Sequence, residues 1–296
     1  MKKKGSVVQL DRISDFGSEG WGFESSLGHL FLLFFIITNL EAQTIVTKVE
    51  LPSSVYETSG LEKVDDNLIT INDSGNQPVI YYLNESGEVI IERNFSGLQN
   101  NDWEDLTVDE EFIYIADIGN NFDTRDNLRI IKAPLDSADN SFEIINFYYL
   151  EQEDFSFKQL SKYDAEALVS IDENLLIFTK NRAKKITEIY KLPKKAGNYK
   201  AELIGKIDIE SIVTAADFDE KMKLLVLTST KDFNEYYIHK IKNFKISKLK
   251  NLKTDTYKIP IGKTQVEAIK IIDKDNFWIT SEAEFMGSPF LYKISL

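Results

Sequence analysis

Beyond residue 43 the apolar positions fall in short runs rich in Val, Ile, Leu, Phe and Tyr, separated by turns bearing Asp, Asn, Gly and Lys, with no heptads and no sustained 3.6-residue period. That punctuation predicts β-strands rather than helices. Ser59–Val64, Leu68–Ile71, Val79–Leu83 and Val89–Glu92 read as four strands of one antiparallel meander, turned at Asp65-Asp66-Asn67 and Asn84–Gly87. The same order of acidic or hydroxyl start, apolar step, Asp-bearing turn, apolar run and polar end spans Glu57–Gly75, Asp102–Asn121, Asp164–Arg182, Thr214–Thr230 and Glu267–Glu282. Later strands of the second unit are Leu128–Lys132 and Phe142–Tyr149, of the third Thr187–Leu192 and Lys200–Ile207, and of the fourth Tyr236–Ile241 and Phe244–Leu249. The fifth has Phe277–Thr280 and Phe290–Ile294 and then stops.

Five such units predict an all-β fold, a β-propeller of five four-stranded blades forming a single domain over residues 44–296. Equivalent positions Ser59, Glu104, Glu166, Thr214 and Glu267 are 45, 62, 48 and 53 residues apart, close to the ~40–50 residues of a propeller blade. Six blades are the alternative, because the 62-residue interval leaves room for an irregular element around Glu151–Lys162. Leu68–Ile71, Leu175–Phe178 and Leu224–Leu227 are apolar on nearly every residue, as expected when neighbouring blades cover both faces of a strand. The last unit lacks a fourth strand and Ile45–Glu50 is spare, so the ring is expected to close by strand 45–50 pairing in the last blade.

Ahead of the repeats, Leu30–Thr38 is a nine-residue apolar run, too short to span a bilayer but of signal-peptide length. Residues 30–42 therefore read as the end of a signal peptide, cut after Ala42, and the mature protein as secreted or held in the periplasm or cell envelope without stable membrane insertion. Residues 1–29 read as a non-native extension. Within them, Val8-Gln9-Leu10-Asp11-Arg12 and Gly22-Phe23-Glu24-Ser25-Ser26 resemble a translated tRNA gene, which implies a start codon placed too early.

Composition narrows the chemistry. The chain has no cysteine and only His29 and His239, which removes thiolate chemistry, cysteine–zinc sites and histidine-based triads. The formal charge of −13 argues against nucleic acid and favours cations or neutral ligands. No organic cofactor is implied, and a monomer is expected.

In an up-and-down blade the first strand leaves one face of the disc and the second returns to it, so strand starts and ends converge on one channel mouth. There the sequence places carboxylates at Glu57, Asp102, Glu104, Asp117, Asp164, Glu166 and Glu267, candidates to hold a hard cation such as Ca2+, which takes six to eight oxygen ligands. Asn72, Asp73, Asn120, Asn121, Lys180, Arg182, Lys231 and Glu282 are candidates to contact a small-molecule or protein ligand. The competing role for the same side chains is structural: capping backbone N–H groups and tying blades together. Trp103 is expected to pack between blades. Lys240–Lys253 is expected to form a charged outer edge strand.

Glu57-Thr58-Ser59-Gly60-Leu61 with Asn72-Asp73-Ser74-Gly75, Asp102-Trp103-Glu104-Asp105-Leu106 with Asp117-Ile118-Gly119-Asn120-Asn121, and Asp164-Ala165-Glu166-Ala167-Leu168 resemble secreted phytase-like and SdiA-regulated-type β-propellers. The resemblance covers about residues 50–296. It implies calcium held by channel-mouth carboxylates, here Glu104, Asp117 and Glu166. The chain departs from those propellers in its five units and its thin set of basic residues. The expected function is an exported binding or scaffold module with an acidic mouth; the alternative is a calcium-dependent hydrolase of phosphoric esters.

Overall fold

The structure, a computed structural model, describes residues 43–262, 264–283 and 287–296. The expectations for residues 1–42 therefore lie outside the described residues. Among the described residues the elements are twenty strands and a single 3-10 turn at Ser53–Val55. After β1 (Thr44–Glu50) come β2 (Thr58–Val64), β3 (Asn67–Asn72), β4 (Val79–Leu83) and β5 (Val89–Asn94), then β6 (Trp103–Val108), β7 (Phe112–Asp117), β8 (Arg129–Pro134) and β9 (Glu143–Tyr149). The third set is β10 (Ala165–Ile171), β11 (Asn174–Thr179), β12 (Ile186–Pro193) and β13 (Gly197–Asp208). The fourth is β14 (Ile212–Asp219), β15 (Leu224–Lys231), β16 (Glu235–Lys242) and β17 (Asp255–Lys258). Last come β18 (Val266–Ile271), β19 (Asn276–Ser281) and β20 (Phe290–Ser295).

Each set pairs as an antiparallel meander, and β1 lies antiparallel to β20, from Thr44 opposite Ser295 to Glu50 opposite Phe290. The innermost strands contact in sequence, β2 with β6, β6 with β10, β10 with β14, β14 with β18, and β18 with β2. One pairing has no counterpart in the repeat: Gly197–Ala201 of β13 runs parallel to Ile145–Tyr149 of β9 and joins the second and third meanders into one eight-stranded sheet. Between them, Leu150–Asp164 contains no strand.

Burial explains the pattern of the sequence. From the second residue on, β3, β7 and β11 are buried at every position, because a neighbouring meander covers each face. The outer strand β9 alternates buried and exposed positions after its second residue, as expected with one face in water. The apolar side chains form layers between successive sheets. Trp103, fully buried, packs with Ile69, Ile71, Ile80 and Tyr82 of the first meander and Leu106, Ile113 and Ile115 of its own. A corresponding layer sets Leu61, Leu68 and Val79 against Ala268, Trp278 and Leu291. Asp65 and Asp172, at φ 54° and 48°, turn the first hairpins of two meanders in the left-handed conformation that Asp tolerates.

Two expectations are corrected. Phe244–Leu249 is not the outer strand of the fourth meander; Asp255–Lys258 pairs with β16 instead. The chain turns at Asn243 (φ 56°), and Phe244, Ile246 and Leu249 pack as filler into the layer between the third and fourth sheets. Nor is Lys240–Lys253 one charged edge strand: Lys240 lies in β16, buried, with its Nζ 2.8 Å from Asp275 Oδ1.

Candidate functional site

The first strand of every meander carries a break in register at the same place. Glu104 falls unpaired between Trp103 (opposite Asp117) and Asp105 (opposite Ala116), and Glu166, Thr214 and Glu267 are skipped in the same way. In β2 the break spans Gly60 and Leu61. A bulge leaves one residue out of the ladder and re-aims its side chain, and here it turns Glu104, Glu166 and Glu267 to a common cavity. Gly60 has φ +64°, and a Cβ there would lie 2.6 Å from the Leu106 backbone N, so only glycine lets β2 approach β6 so closely.

The cavity has a volume of about 270 Å³. Eight of the fifteen predicted site residues line it: Asp73, Glu104, Asn121, Glu166, Lys180, Arg182, Glu267 and Glu282. Ser59, Gln265 and Phe233 are the other described residues of the lining. Asp102 and Asp164 stand beside it. Asp73, Asp102 and Glu104 can each place one carboxylate oxygen within 4.8 Å of the others, and so can Glu104, Asp164 and Glu166. Glu104 belongs to both groups. It is 5% exposed, and the nearest charges acting on its carboxylate are those of Glu166, Asp73, Asp102 and Asp164.

The neighbours of Glu104 are partly engaged. Lys180 Nζ is 2.6 Å from Glu166 Oε1. Arg182 donates to Asp164 Oδ2 at 3.0 Å and to Asn121 Oδ1 at 2.6 Å, and the Asn120 backbone N–H donates to Asp164 Oδ1 at 2.8 Å. Gln265 Nε2 donates to Glu282 Oε2 at 2.7 Å. Glu267 Oε2 is buried with no hydrogen-bond partner.

Electrostatics follow from this crowding. Burial pushes Asp73 up to about 7 and Asp102 to about 6, with neighbouring carboxylates adding to the rise. Glu282 rises to about 8 by burial and then by Asp73, Glu57 and Glu166. Glu104 is held well above the ordinary carboxylate range by burial first and by Glu166, Asp73, Asp102 and Asp164 after it. Glu267 and Glu166 rise by burial, in part opposed by Lys180. Burial alone would lower the Lys180 ammonium, but Glu166, Glu267 and Asp164 hold it above its ordinary value.

Other candidates have other work. Asp117 does not reach the cavity: its carboxylate is enclosed by Arg125 Nη2 at 2.8 Å, Arg129 Nε at 2.9 Å and Asn101 Nδ2 at 2.9 Å, a set that leaves no place for a cation. Glu57 accepts from Asn76 Nδ2 beside the mouth. Asn72 ties the Ser54 carbonyl, with its own Oδ1 buried and unpartnered. Asn120 binds Asp164 through its backbone and accepts from the Arg125 backbone N–H. Lys231 is exposed and outside the lining; its hairpin presents Phe233 instead.

The fastening role falls on residues that sequence reasoning passed over. Innermost strands expose free backbone N–H groups along the channel, and carboxylates one step deeper cap them. Asp105 accepts from Leu106 N at 2.7 Å and from Leu168 N of the next meander at 2.8 Å, and Asp217 reaches Ile271 N at 2.7 Å. Lys270 pairs with Asp217 at 2.9 Å and with Glu62, linking three meanders.

Gly119 is the local device that admits the acidic cluster, since a Cβ there would collide with Glu104 Oε1 and Asp102 Oδ2. Gly119→Ala is expected to leave the melting temperature within ~3 °C, because the displaced atoms are side-chain ends, while weakening cation binding at least ~10-fold. Parallel melting and calcium titrations of the variant check both.

No family model matches the chain, and no curated protein matches it. Solved structures do. An exo-β-1,3-galactanase from Phanerochaete chrysosporium with galactose aligns at 10% identity, covering 85% of this chain and 64% of that one, with a TM-score of 0.55. A PQQ-bound aldose sugar dehydrogenase from Streptomyces coelicolor aligns at 8% identity over 86% and 98% of the two chains, with a TM-score of 0.48. The WD40 domain of Pan2 from Neurospora crassa aligns at 10% identity over 80% and 74%, with a TM-score of 0.38. The fold is a β-propeller. The likeness to the galactanase, at 10% identity, extends to the fold alone.

Proposed function

We propose that this propeller has five blades, closed by β1 beside β20, and acts as an exported module whose acidic mouth binds a divalent cation without catalysis. The circuit of innermost contacts and the β1–β20 register support the blade count and closure. The Leu30–Thr38 run supports export. The observation that carries the cation reading is Glu104, a buried carboxylate in the cavity lining that belongs to both groups of clustered acids, with Glu267 Oε2 in the same lining buried and without a hydrogen-bond partner. Burying such a group without a partner is costly, and a cation offsets that cost.

Oxygen donors alone suit a hard cation, calcium above all. Glu104, Glu166, Asp164, Asp102 and Asp73 would hold it, and it would supply positive charge at the centre of the ring. In a phosphoric-ester hydrolase the held cation would itself meet the substrate's anion, but the basic side chains described in the lining, Lys180 and Arg182, already serve Glu166 and Asp164 and offer that anion no second positive contact. The binding module is therefore the preferred reading.

A ligand that binds only the folded state contributes about 2.7 kcal/mol at 100 times its dissociation constant, or roughly 5–10 °C in a domain of this size. Melting after chelation, with and without millimolar calcium, tests the proposal. The melt should rise by about that amount in the wild type and by less than about a third of it in Glu104→Gln. Unchanged melts with calcium, magnesium and manganese would make the acids fasteners only.

A further inference from the structure

Phe233 stands out within the mouth. Among the described residues it is the one apolar side chain of the eleven that line the cavity, and it is 45% exposed. Its backbone is strained as well. Asp232 and Phe233 take φ of 54° and 56° in the loop that closes the β15–β16 hairpin, where Lys231 pairs with Glu235. Left-handed positions in such loops favour Gly and Asn, and a bulky aromatic there is an outlier of the kind that clusters at ligand-contacting positions. A large apolar ring held at a backbone cost against a charged cavity gains nothing for folding; it makes sense as a surface for a ligand.

The rest of the lining defines that ligand. The same lining holds hydrogen-bonding groups of both senses: the carboxylates, the linked Glu282 and Gln265, Asn121 and the Ser59 hydroxyl. A molecule matching this has many hydroxyls around its edge and one flat C–H face. An anion is disfavoured, since among the described residues of the lining the cations are engaged by Glu166 and Asp164 and the remaining ionisable groups are carboxylates. A purely apolar ligand would strand the polar groups.

We propose that the mouth recognises one pyranose unit of a neutral carbohydrate, its C–H face stacked on Phe233 and its hydroxyls bonded by the carboxylates and amides opposite. The cavity of about 270 Å³ accommodates a single six-membered ring. Phe122, next in sequence to Asn121 of the lining, stacks on Phe157 at 4.7 Å, and the two rings are 49% and 65% exposed. Arg182 and Asn121, both in the lining, are hydrogen-bonded to each other at 2.6 Å. The exposed Phe122–Phe157 pair is the surface assigned to a second sugar of an oligosaccharide. This inference rests on the mouth being the binding site and not on which cation occupies it.

The test is ligand-observed saturation-transfer NMR and calorimetry on the mature chain. The probes are methyl glycosides of glucose, galactose, mannose, xylose and N-acetylglucosamine and the corresponding trisaccharides, with and without calcium, and tetramethylammonium as an organic-cation control. At least one glycoside should bind saturably, its trisaccharide at least threefold tighter. Phe233→Ala should weaken that binding at least tenfold and leave the calcium-induced rise in melting temperature unchanged. Phe233→Asn, which suits the left-handed backbone, should melt higher than the wild type and still lose the sugar. Absence of binding across the panel in protein whose calcium response is intact would overturn the inference, as would equal affinity in Phe233→Ala or a Phe233-dependent response to tetramethylammonium alone. Sugar binding that depends on Phe233 in protein with no response to any divalent cation would uphold the inference and remove the cation reading.

Discussion

A chain lacking residues 44–52 should melt at least ~10 °C below the 43–296 protein, or fail to fold. β1 covers one edge of β20 over its whole length, from the Thr44–Ser295 pair to the Glu50–Phe290 pair. Its removal bares that edge and leaves a row of unmet N–H and C=O groups. It also takes away Leu51, 2% exposed, from the layer that joins Leu61, Leu68 and Val79 to Ala268, Trp278 and Leu291. Truncating one buried leucine costs about 2–5 kcal/mol by itself, which in a domain of this size corresponds to roughly 5–15 °C. Thermal melting followed by circular dichroism measures it. A truncated chain melting within ~2 °C of the parent would mean that β1 is an ornament and the ring holds without it.

The second large effect is an inverted dependence on pH. Most folded proteins lose stability in acid because their carboxylates titrate lower when folded than when unfolded. Here the mouth does the opposite. Asp102, Asp73 and Glu282 are raised to about 6, about 7 and about 8 by burial first and by like charges after it, so the folded state holds protons that the unfolded chain has released. Their stabilising contribution is complete below about pH 4 and is lost as pH rises through 6 to 8. For Asp102 the change from an ordinary 3.8 to about 6 corresponds to roughly 3 kcal/mol. Chelated protein should therefore melt several degrees lower at pH 8.5 than at pH 6, and saturating calcium should remove most of that difference by replacing the protons. Melts at both pH values, with chelator and with calcium, check it. A chelated protein more stable at pH 8.5 would contradict the assignment of the raised groups.

The repeat was legible because propeller strands advertise themselves. Fully buried second strands read as unbroken apolar runs, and the acidic motifs before Leu106 and Leu168 and the hydroxyl motif before Leu61 marked equivalent starts. Register was not legible. A bulge adds one residue without altering composition, so nothing in Asp102-Trp103-Glu104-Asp105 distinguishes the carboxylate that enters the cavity, Glu104, from the one that caps Leu168 N, Asp105. Asp117 looked equivalent to a mouth ligand until Arg125 and Arg129, eight and twelve residues on, folded back onto it. The outer strand of the fourth meander is not legible in Phe244–Leu249, because Phe244, Ile246 and Leu249 serve the layer beneath rather than an edge. Phe233 carried only a weak signal, an aromatic between Asp232 and Asn234 in a hairpin loop where small polar residues are usual. Gln265 was visible in principle, two residues before Glu267.

The central claim is that Glu104 and its neighbours form a cation site, and calorimetric titration of calcium into exhaustively chelated protein at pH 7.5 tests it most directly. Because the folded mouth carries protons on raised carboxyls, one saturable site per chain is expected, with a heat that changes between buffers of different ionisation enthalpy as those protons leave. Glu104→Gln should weaken the binding at least ~10-fold with the fold intact, the loss of about 1.4 kcal/mol expected when one carboxylate is removed from the cluster. No saturable heat in the wild type, or a Glu104→Gln protein that titrates identically, would contradict it.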